Sequence, residues 1–450
     1  MRYIGDGEMT YAPRVWVLLL TLTQWSAQSA ATPLDIGEVD AKALSMAGAH
    51  TAAVTDYRAT FYNPAALTQS RQTETGFGLM VTVPRLSIQL QKASVADTHA
   101  PLLPETRTAL TIGANFPLGE RIGNRFALGI LLYSPLDAAI RGEMFSPQAP
   151  QFYRYQNRPD RFVALTALGY RISERLSIGI GVQLFADLLG RVQVDLRIAD
   201  RHITQRAAQV DFPTKFSPTA GVLYTPIPPL KFGLSWKKGA SLNFYIPSKL
   251  VLDDLAILNF NVGGVVLYTP DSLHFGGTYA WLDGQASLSI DASWYRWSTA
   301  PDPSLGISVD ADGDVLMGLG IEDRLDLEGP NDIDLALRDV VILKVGTELS
   351  LNDQWSVRGG YSFRPAPAPI PTGAYNYLDP SSHRVSTGLG FTAQLGSKPR
   401  SRWLHVDLGY ALTILPETSV TKLGGEKDPV GAYTAGGMMH GIALSVRHAL

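Results

Sequence analysis

The chain has 450 residues, of which 45% are hydrophobic and 18% are charged, and its formal net charge is −3. This balance excludes a strong electrostatic attraction to nucleic acid. Cysteine is absent, which excludes disulfide bonds, thiolate catalysis and cysteine-ligated metals. The length exceeds that of a usual single domain, but closed β structures can also exceed that norm.

The N-terminus has the pattern of a secretory signal peptide. An apolar run at residues 15–22 follows Arg14, and small residues lead up to Ala31. This succession of basic, apolar and small-residue regions is typical of a leader that is removed on export. We therefore predict a signal peptide at residues 1–31, with Met9 as an alternative start. No later run reaches the ~18 uncharged apolar residues that a membrane-spanning helix needs.

The next segment does not read as a strand. Residues 45–67 are rich in alanine and glycine and close on Asn63-Pro64-Ala65. Almost everything that follows reads as one strand after another. We therefore predict that residues 32–74 form a compact plug, or hatch, held inside a container that residues 75–450 build.

The repeated signal from residue 76 onward is alternation with period two. At residues 176–184 the even positions are Leu, Ile or Val, and the odd positions are Ser, Gly or Gln. A soluble β-sandwich would also alternate, so this pattern alone leaves both architectures open. The polar face is mostly Gly, Ser, Thr and Ala, which favours a barrel interior with the apolar face against lipid.

The number of strands follows from the connections between them. Six short links and seven long polar links alternate along the chain, and outer-membrane barrels have tight turns at one end and long loops at the other. The sequence therefore predicts an all-β fold, a 14-stranded antiparallel transmembrane β-barrel plugged by an N-terminal hatch. We take residues 261–268 as an extension of the eighth strand. We expect a bulge or kink at Pro84, since proline cannot donate to the ladder.

Four basic residues fall on inward-facing positions by strand parity: Arg191, Arg197, Lys344 and Arg358. One interpretation is a basic lumen that meets a carboxylate. The other, which we favour, is wall polarity that satisfies neighbouring groups and water.

The chain shows no motif of an enzyme. It lacks HExxH, a nucleophile elbow, a P-loop and a dinucleotide fingerprint. Residues 298–338 are strongly acidic, and the spacing of Asp310, Asp312 and Asp314 superficially resembles a calcium loop, but no Glu stands at the twelfth position. A solvated acidic loop is the favoured interpretation, with weak divalent binding as the alternative. We expect no catalytic residues, no metal site and no cofactor.

Two stretches resemble a known family. They are residues 48–67, which contain Asn63-Pro64-Ala65, and residues 344–361 with the prolines that follow. Both are similar to the FadL/TodX family of outer-membrane transporters for long-chain fatty acids and aromatic hydrocarbons. The resemblance implies capture of an apolar or amphipathic molecule outside, passage past the hatch, and release through a lateral gap in the wall. Gly129 is the candidate for the wall kink that makes such a gap.

We therefore predict a channel for hydrophobic or amphipathic small molecules in the outer membrane of a Gram-negative bacterium. The expected partners are that substrate, outer-membrane lipids and the outer-membrane assembly machinery, and we expect a monomer. Two alternatives stay open. One is a non-transporting barrel that serves as scaffold in a secretion or surface-assembly machine, and the other is a porin for polar solutes.

Overall fold

The fold is described from a computed structural model. The described residues are 38–91, 100–119, 125–136, 149–156, 162–186, 188–197, 202–211, 214–252, 256–301, 306–312, 327–328, 335–373, 375–395, 402–422 and 430–449. The predicted signal peptide lies outside them.

Fourteen strands form one closed barrel, which confirms the predicted strand count. Neighbouring strands are antiparallel, and the barrel closes where the first strand pairs with the last, from Glu74 opposite Ala449 to Leu90 opposite Tyr433. Strands are numbered in chain order. The barrel strands are β1 (Glu74–Leu90), β2 (Arg107–Leu118), β3 (Phe126–Pro135), β5 (Val163–Arg171), β6 (Leu176–Ala186), β9 (Thr214–Ile227), β10 (Leu230–Lys237), β13 (Ser272–Trp281), β14 (Ala286–Tyr295), β17 (Val340–Ser350), β18 (Trp355–Arg364), β20 (Ser382–Leu395), β21 (Arg402–Val420) and β22 (Tyr433–Ala449).

The outer surface of the barrel is apolar. Alternate residues of each strand point outward, and those at mid-height are large and exposed, such as Ile180 at 66% and Ile290 at 54%. Ring pairs mark the barrel end that carries the short turns, among them Tyr279 with Trp281 and Trp355 with Phe391. An apolar band beside aromatic rings is the surface that lipid tails and the membrane interface require. Below, the turn end is the end with the short links, and the loop end is the opposite one.

A second sheet of six strands comes from the long connections at the loop end. The strands are β7 (Leu188–Arg197), β8 (His202–Asp211), β11 (Ala240–Leu252), β12 (Ala256–Thr269), β15 (Gly306–Asp312) and β16 (Leu327–Glu328). Their order in the sheet is β16-β15-β12-β11-β7-β8, with a parallel pairing between β7 and β11. The assignment of residues 261–268 to the eighth barrel strand is therefore wrong, because they belong to the β11–β12 hairpin. Period-two alternation has the same form in a barrel wall and in a separate sheet, so the sequence pattern did not separate them.

The bulge expected at Pro84 is also absent from the pairing of β1 with β22. β1 keeps one register with β22 on both sides of Pro84. The apolar residues change sides because Leu86 and Ile88 face inward, onto a buried cluster with Phe152 and Tyr155. Register shifts do occur in other barrel strands, in β21 between Leu415 and Thr418 and in β10 between Leu230 and Phe232. A short parallel pair completes this end: β4 (Gln151–Phe152) and β19 (Tyr377–Leu378).

The N-terminal segment lies inside the barrel. We call residues 38–73 the plug. Its helices are α1 (Ala41–Ser45), α2 (Ala59–Tyr62) and a 3-10 helix (Pro64–Gln69). Elsewhere in the described residues the helices are α3 (Tyr153–Gln156) and a 3-10 helix (Trp297–Thr299). In the described part of the chain, no helix has the length and apolar character needed to cross a membrane.

Candidate functional site

The wall of the barrel makes room for the plug with glycines. At each of these positions an added side-chain carbon would collide with a plug residue, so the two backbones approach closely. Tyr57 of the plug, for example, lies against Gly76 and Gly113 on neighbouring strands. The wall glycines in contact with the plug are Gly76, Gly113, Gly129, Gly169, Gly179, Gly221, Gly233, Gly276, Gly346, Gly360, Gly388 and Gly409. The small inward face predicted from the sequence is thus the seat of the plug.

Asn63 attaches the plug to the wall. Its side-chain nitrogen donates to the carbonyls of Thr51 (3.1 Å) within the plug and Val222 (3.0 Å) on β9. Its side-chain oxygen accepts from the Ala65 amide at 3.2 Å and so caps the 3-10 helix, in which Pro64 occupies the first position. Asn63 is fully buried. The Asn63-Pro64-Ala65 motif therefore combines a helix start with a cross-link between plug and wall.

A second attachment comes from Asp291 on β14. One of its carboxylate oxygens accepts from the backbone amides of His50 (2.9 Å) and Thr51 (2.8 Å). Two donors on one buried carboxylate make charge-assisted bonds, which are stronger than neutral ones.

Buried ion pairs form the turn-end face of the plug. Arg58 donates to Asp40 at 2.7 Å and binds Asp56 through two nitrogens. It also lies 3.7 Å from Asp407 on the wall. Burial disfavours the charged form of each group, but Asp40 and Asp56 outweigh it and hold the pKa of Arg58 well above its usual range. Burial likewise opposes ionisation of Asp56, and Arg58 overrides it, so the Asp56 pKa lies below its usual range.

This network continues into the wall. Arg358 binds Asp407 at 2.7 Å and Glu348 at 2.9 Å, and Lys42 of the plug binds Glu348 at 2.8 Å. Arg447 binds Glu74 at 2.8 Å and lies 3.6 Å from Asp56. We call these nine residues the ionic base: Asp40, Lys42, Asp56, Arg58, Glu74, Glu348, Arg358, Asp407 and Arg447. A polar cavity of about 570 Å³, counting space open to solvent, lies against it at the turn end.

A basic cavity lies on the other side of the plug. It holds about 990 Å³ of empty space, counting that open to solvent. Among the described residues that line it, Glu38 is the one carboxylate, and the cations are Lys237, Lys238, Lys344, Arg364 and Arg384. Phe61, Tyr62 and Ile342 add apolar surface, and Lys237 lies 3.4 Å from the centre of the Phe61 ring.

An apolar cavity of about 720 Å³, counted in the same way, adjoins the basic cavity. Leu44 of the plug and Met80, Ala411 and Met439 of the wall line it, with Tyr155 from the loop end. Glu38, Ser382 and Arg384 line both cavities. The plug therefore separates two adjoining cavities on the loop side from the polar cavity at the turn end.

The structure distributes the predicted basic residues over three places. Lys344 on β17 lines the basic cavity, whereas Arg358 on β18 belongs to the ionic base. Arg191 and Arg197 lie on β7, in the six-stranded sheet. Their predicted place in the barrel wall is wrong, because β7 pairs with β8 and β11 and with no barrel strand.

Gly129 does not interrupt the wall. β3 pairs in a continuous register with β2 and with β5 through this residue. An added carbon at Gly129 would meet Thr60 and Leu67 of the plug. The prediction of a wall kink there is corrected: this glycine makes room for the plug.

The acidic stretch 298–338 lies mostly outside the described residues, which include Asp310 and Asp312 on β15. Among the residues that the structure covers, no group of three or more His, Asp or Glu side chains could hold a metal ion.

Sequence reasoning missed the charged residues that hold the plug. Residues 39–70 contain four charged side chains, Asp40, Lys42, Asp56 and Arg58, in an otherwise uncharged stretch. Two opposite pairs in an apolar segment are a signal for buried ion pairs, because burying an unpaired charge is prohibitively costly. Glu38, Asp291 and Arg384 had no comparable sequence signal, since their partners are distant in the chain.

Comparison with known proteins agrees with this architecture. Residues 20–448 match the family model described as "Outer membrane protein transport protein (OMPP1/FadL/TodX)". Alkane uptake protein A of Marinobacter nauticus is 24% identical over 412 residues, which cover 86% of this chain and 84% of that protein.

Solved structures share the fold at low sequence identity. A FadL homologue of Pseudomonas aeruginosa has a TM-score of 0.56 at 14% identity and covers 91% of this chain and 98% of its own. The toluene transporter TodX of P. putida has a TM-score of 0.54 at 13% identity, with 93% and 99% covered. The chain belongs to the OMPP1/FadL/TodX family of outer-membrane transport proteins, and its barrel is a channel of the outer membrane.

Proposed function

We propose that this channel takes up hydrophobic and amphipathic small molecules, which it captures in the two adjoining external cavities and passes inward when the plug moves. The observation that carries the proposal is the position of the plug between these cavities and the periplasmic one. In this family of barrels the short turns face the periplasm. The ionic base is therefore periplasmic.

The chemistry of the two cavities favours a molecule with an apolar body and an anionic end. Ligand cavities are mostly apolar with a few convergent polar groups. Here the apolar cavity offers Leu44, Met80 and Met439, and the basic cavity offers Lys344 and Arg384. A long-chain fatty acid meets both requirements, and a hydrocarbon meets the first.

The relatives agree in the kind of molecule they handle. One is an alkane uptake protein, another is a toluene transporter, and a third, CymD, is a monoaromatic hydrocarbon channel with a TM-score of 0.53 to this chain at 14% identity. All three names specify apolar molecules.

Movement of the plug is the step that controls passage along the proposed route. The resemblance also implies lateral release through the wall, but the pairing of β3 is continuous on both sides. Passage past the plug needs its contacts to break, whichever way the substrate leaves.

Uptake by cells that express the full chain tests the proposal. Cells with the wild-type protein should accumulate labelled hexadecane and hexadecanoate faster than cells without it. Deletion of residues 59–67 should change this uptake while the barrel still inserts, as heat-modified gel mobility and circular dichroism would show.

Three results would overturn the proposal. Uptake that the deletion leaves unchanged would remove the plug from the route. Steady ion conductance through the wild-type protein in a planar bilayer would indicate a porin for polar solutes, and a stable protein partner with no uptake of either substrate would indicate a scaffold.

A further inference from the structure

Glu38 stands where the two external cavities meet. Its carboxylate binds Arg384 on β20 at 2.6 Å, and the residue is only 5% exposed. Both members of this ion pair line both cavities. The pair is therefore part of the wall between a basic space and an apolar one.

The surroundings of Glu38 are cationic. The other carboxylate oxygen of Glu38 and the amine of Lys344 both lie beside Gly48, where an added carbon would be 2.5 Å from the first and 3.3 Å from the second. Lys237 and Arg364 line the same cavity. Among its described lining residues no second carboxylate accompanies Glu38, so this one group occupies the anion position of the cavity.

The apolar cavity begins on the other side of the same ion pair. Leu44, Met80, Ala411 and Met439 lie along it. A molecule with a carboxylate at Arg384 could lay its chain along these side chains. That carboxylate would take the place that the Glu38 carboxylate now holds.

We propose that Glu38 is a tethered substitute for the anionic head group of the substrate, and that a long-chain carboxylate displaces it from Arg384, in the cavity that Lys344 also lines, and so frees the external end of the plug. The inference rests on the proposed function and names how the same site is regulated. The exchange replaces one carboxylate by another, so Arg384 keeps an anionic partner. An uncharged hydrocarbon cannot make this exchange.

The effect of displacement is confined to one end of the plug. Val39, the next residue, donates its amide to the hydroxyl of Tyr62 at 3.2 Å. Asp40 follows, and it is held by Arg58 and caps α1. Loss of the Glu38–Arg384 pair therefore loosens the chain up to Asp40, where the ionic base begins.

Affinity measurements on the full-length protein in nanodiscs test the inference. The probes are dodecanoate and dodecan-1-ol, which have the same chain and differ in the charge of the head group. Glu38→Gln keeps the size of the side chain and removes the competing charge. Removing a tethered competitor that occupies the site most of the time raises apparent affinity by the reciprocal of the free fraction, about tenfold or more.

We expect Glu38→Gln to bind dodecanoate about tenfold tighter than wild type, with no change for dodecan-1-ol. Glu417→Gln, which removes an exposed carboxylate on β21 away from both cavities, should match wild type. Hydrogen exchange gives the second readout: dodecanoate, and not dodecan-1-ol, should speed exchange at Val39 in wild type, whereas in Glu38→Gln exchange there should be fast without ligand.

Unchanged or weaker dodecanoate binding in Glu38→Gln, with normal binding of dodecan-1-ol, would overturn this inference and leave the proposed function standing. An equal gain for both ligands would also overturn it, because the variant would then only have enlarged the cavity. Failure of both ligands to bind the wild-type protein would overturn the proposed function together with the inference.

Discussion

The two ends of the plug are held in different ways. At the periplasmic end, four charged plug residues and five wall residues form a connected network, in which Arg58, Asp40 and Asp56 are almost completely buried. At the external end, the ion pair that the described residues show between plug and wall is Glu38 with Arg384, which stands beside open cavities. A network of buried pairs is costly to break, because each broken pair leaves an uncompensated charge. Plug movement should therefore start at the external end, where the substrate arrives.

Removing Arg58 should have the largest effect. Arg58→Met leaves Asp40 and Asp56 buried without their main partner, which costs about 3–5 kcal/mol. We expect hydrogen exchange to become fast throughout residues 38–69, and the barrel to conduct ions in a planar bilayer. Arg58→Lys, which keeps the charge but loses the forked hydrogen bonds, should fall between this variant and wild type. If the plug amides of Arg58→Met stay as protected from hydrogen exchange as those of wild type, the ionic base does not hold the plug.

Asn63 should come second. Asn63→Ala removes two donors to the Thr51 and Val222 carbonyls and the cap on the 3-10 helix, which should lower the free energy of plug opening by about 2–3 kcal/mol. Hydrogen exchange at residues 59–69 measures this energy. Asn352→Ala is the matched control, because Asn352 caps an exposed turn at the periplasmic end with a similar side-chain bond to Trp355. If the amides of residues 59–69 are equally protected from hydrogen exchange in both variants, Asn63 does not anchor the plug.

His50 should make the plug sensitive to acid. Its ring is buried, packs edge-on against Tyr62, and has no hydrogen-bond partner on either nitrogen among the described residues. Burial, then the charges of Arg58 and Lys42, lower its pKa well below the ordinary value, against the weaker opposing effect of Asp56 and Glu348.

Acid should destabilise the folded plug, because His50 binds a proton near pH 6.5 when the plug is unfolded but not when it is folded. The plug has its full stability above that pH and loses about 1.4 kcal/mol for each pH unit below it, until the lowered pKa is reached. Hydrogen exchange of the plug between pH 7.5 and 5 should show this slope in wild type. His50→Phe should flatten it, and an equal slope in both proteins would assign the acid sensitivity to another group.

The smallest effect that we expect is at Gly48, beside Glu38 at the external end of the plug. Gly48 has a φ of +77° and lies against Glu38, whereas Gly284 has a φ of +88° in a turn with open space around it. An alanine at either site costs about 1 kcal/mol of backbone strain, but only Gly48→Ala also pushes Glu38 away from its place. Dodecanoate should bind Gly48→Ala more tightly than Gly284→Ala, and equal affinities would contradict the role given to Glu38.

The barrel was more predictable than its loops. Alternation and the order of short and long links led to fourteen strands because lipid on one side and a small-residue lumen on the other impose a strict period of two. The same period placed Arg191 and residues 261–268 in the wrong sheet. Strand partners depend on register and on distant segments, such as the pairing of Ser248 with Val192, and a local pattern does not specify them.

The residues of the site also differ in how far the sequence could predict them. The Asn63-Pro64-Ala65 motif was visible because a turn residue, a proline and a small residue stand together in the sequence. The pairs Glu38–Arg384 and Asp291–Thr51 join residues more than two hundred positions apart. Lys344 and Arg358 share one inward parity, but they lie on opposite sides of the plug, and parity contains no information on height in the barrel.

A reversible cross-link between plug and wall tests directly whether substrate passes only when the plug moves. Thr51 and Asp291 are hydrogen-bonded neighbours that flank Gly276, and the chain has no cysteine of its own. In the double variant Thr51→Cys with Asp291→Cys, we expect uptake of hexadecanoate to stop under oxidation and to return when dithiothreitol reduces the disulfide. Uptake by each single variant should respond to neither treatment. Uptake by the cross-linked protein at the rate of the reduced one would show that substrate passes without movement of the plug.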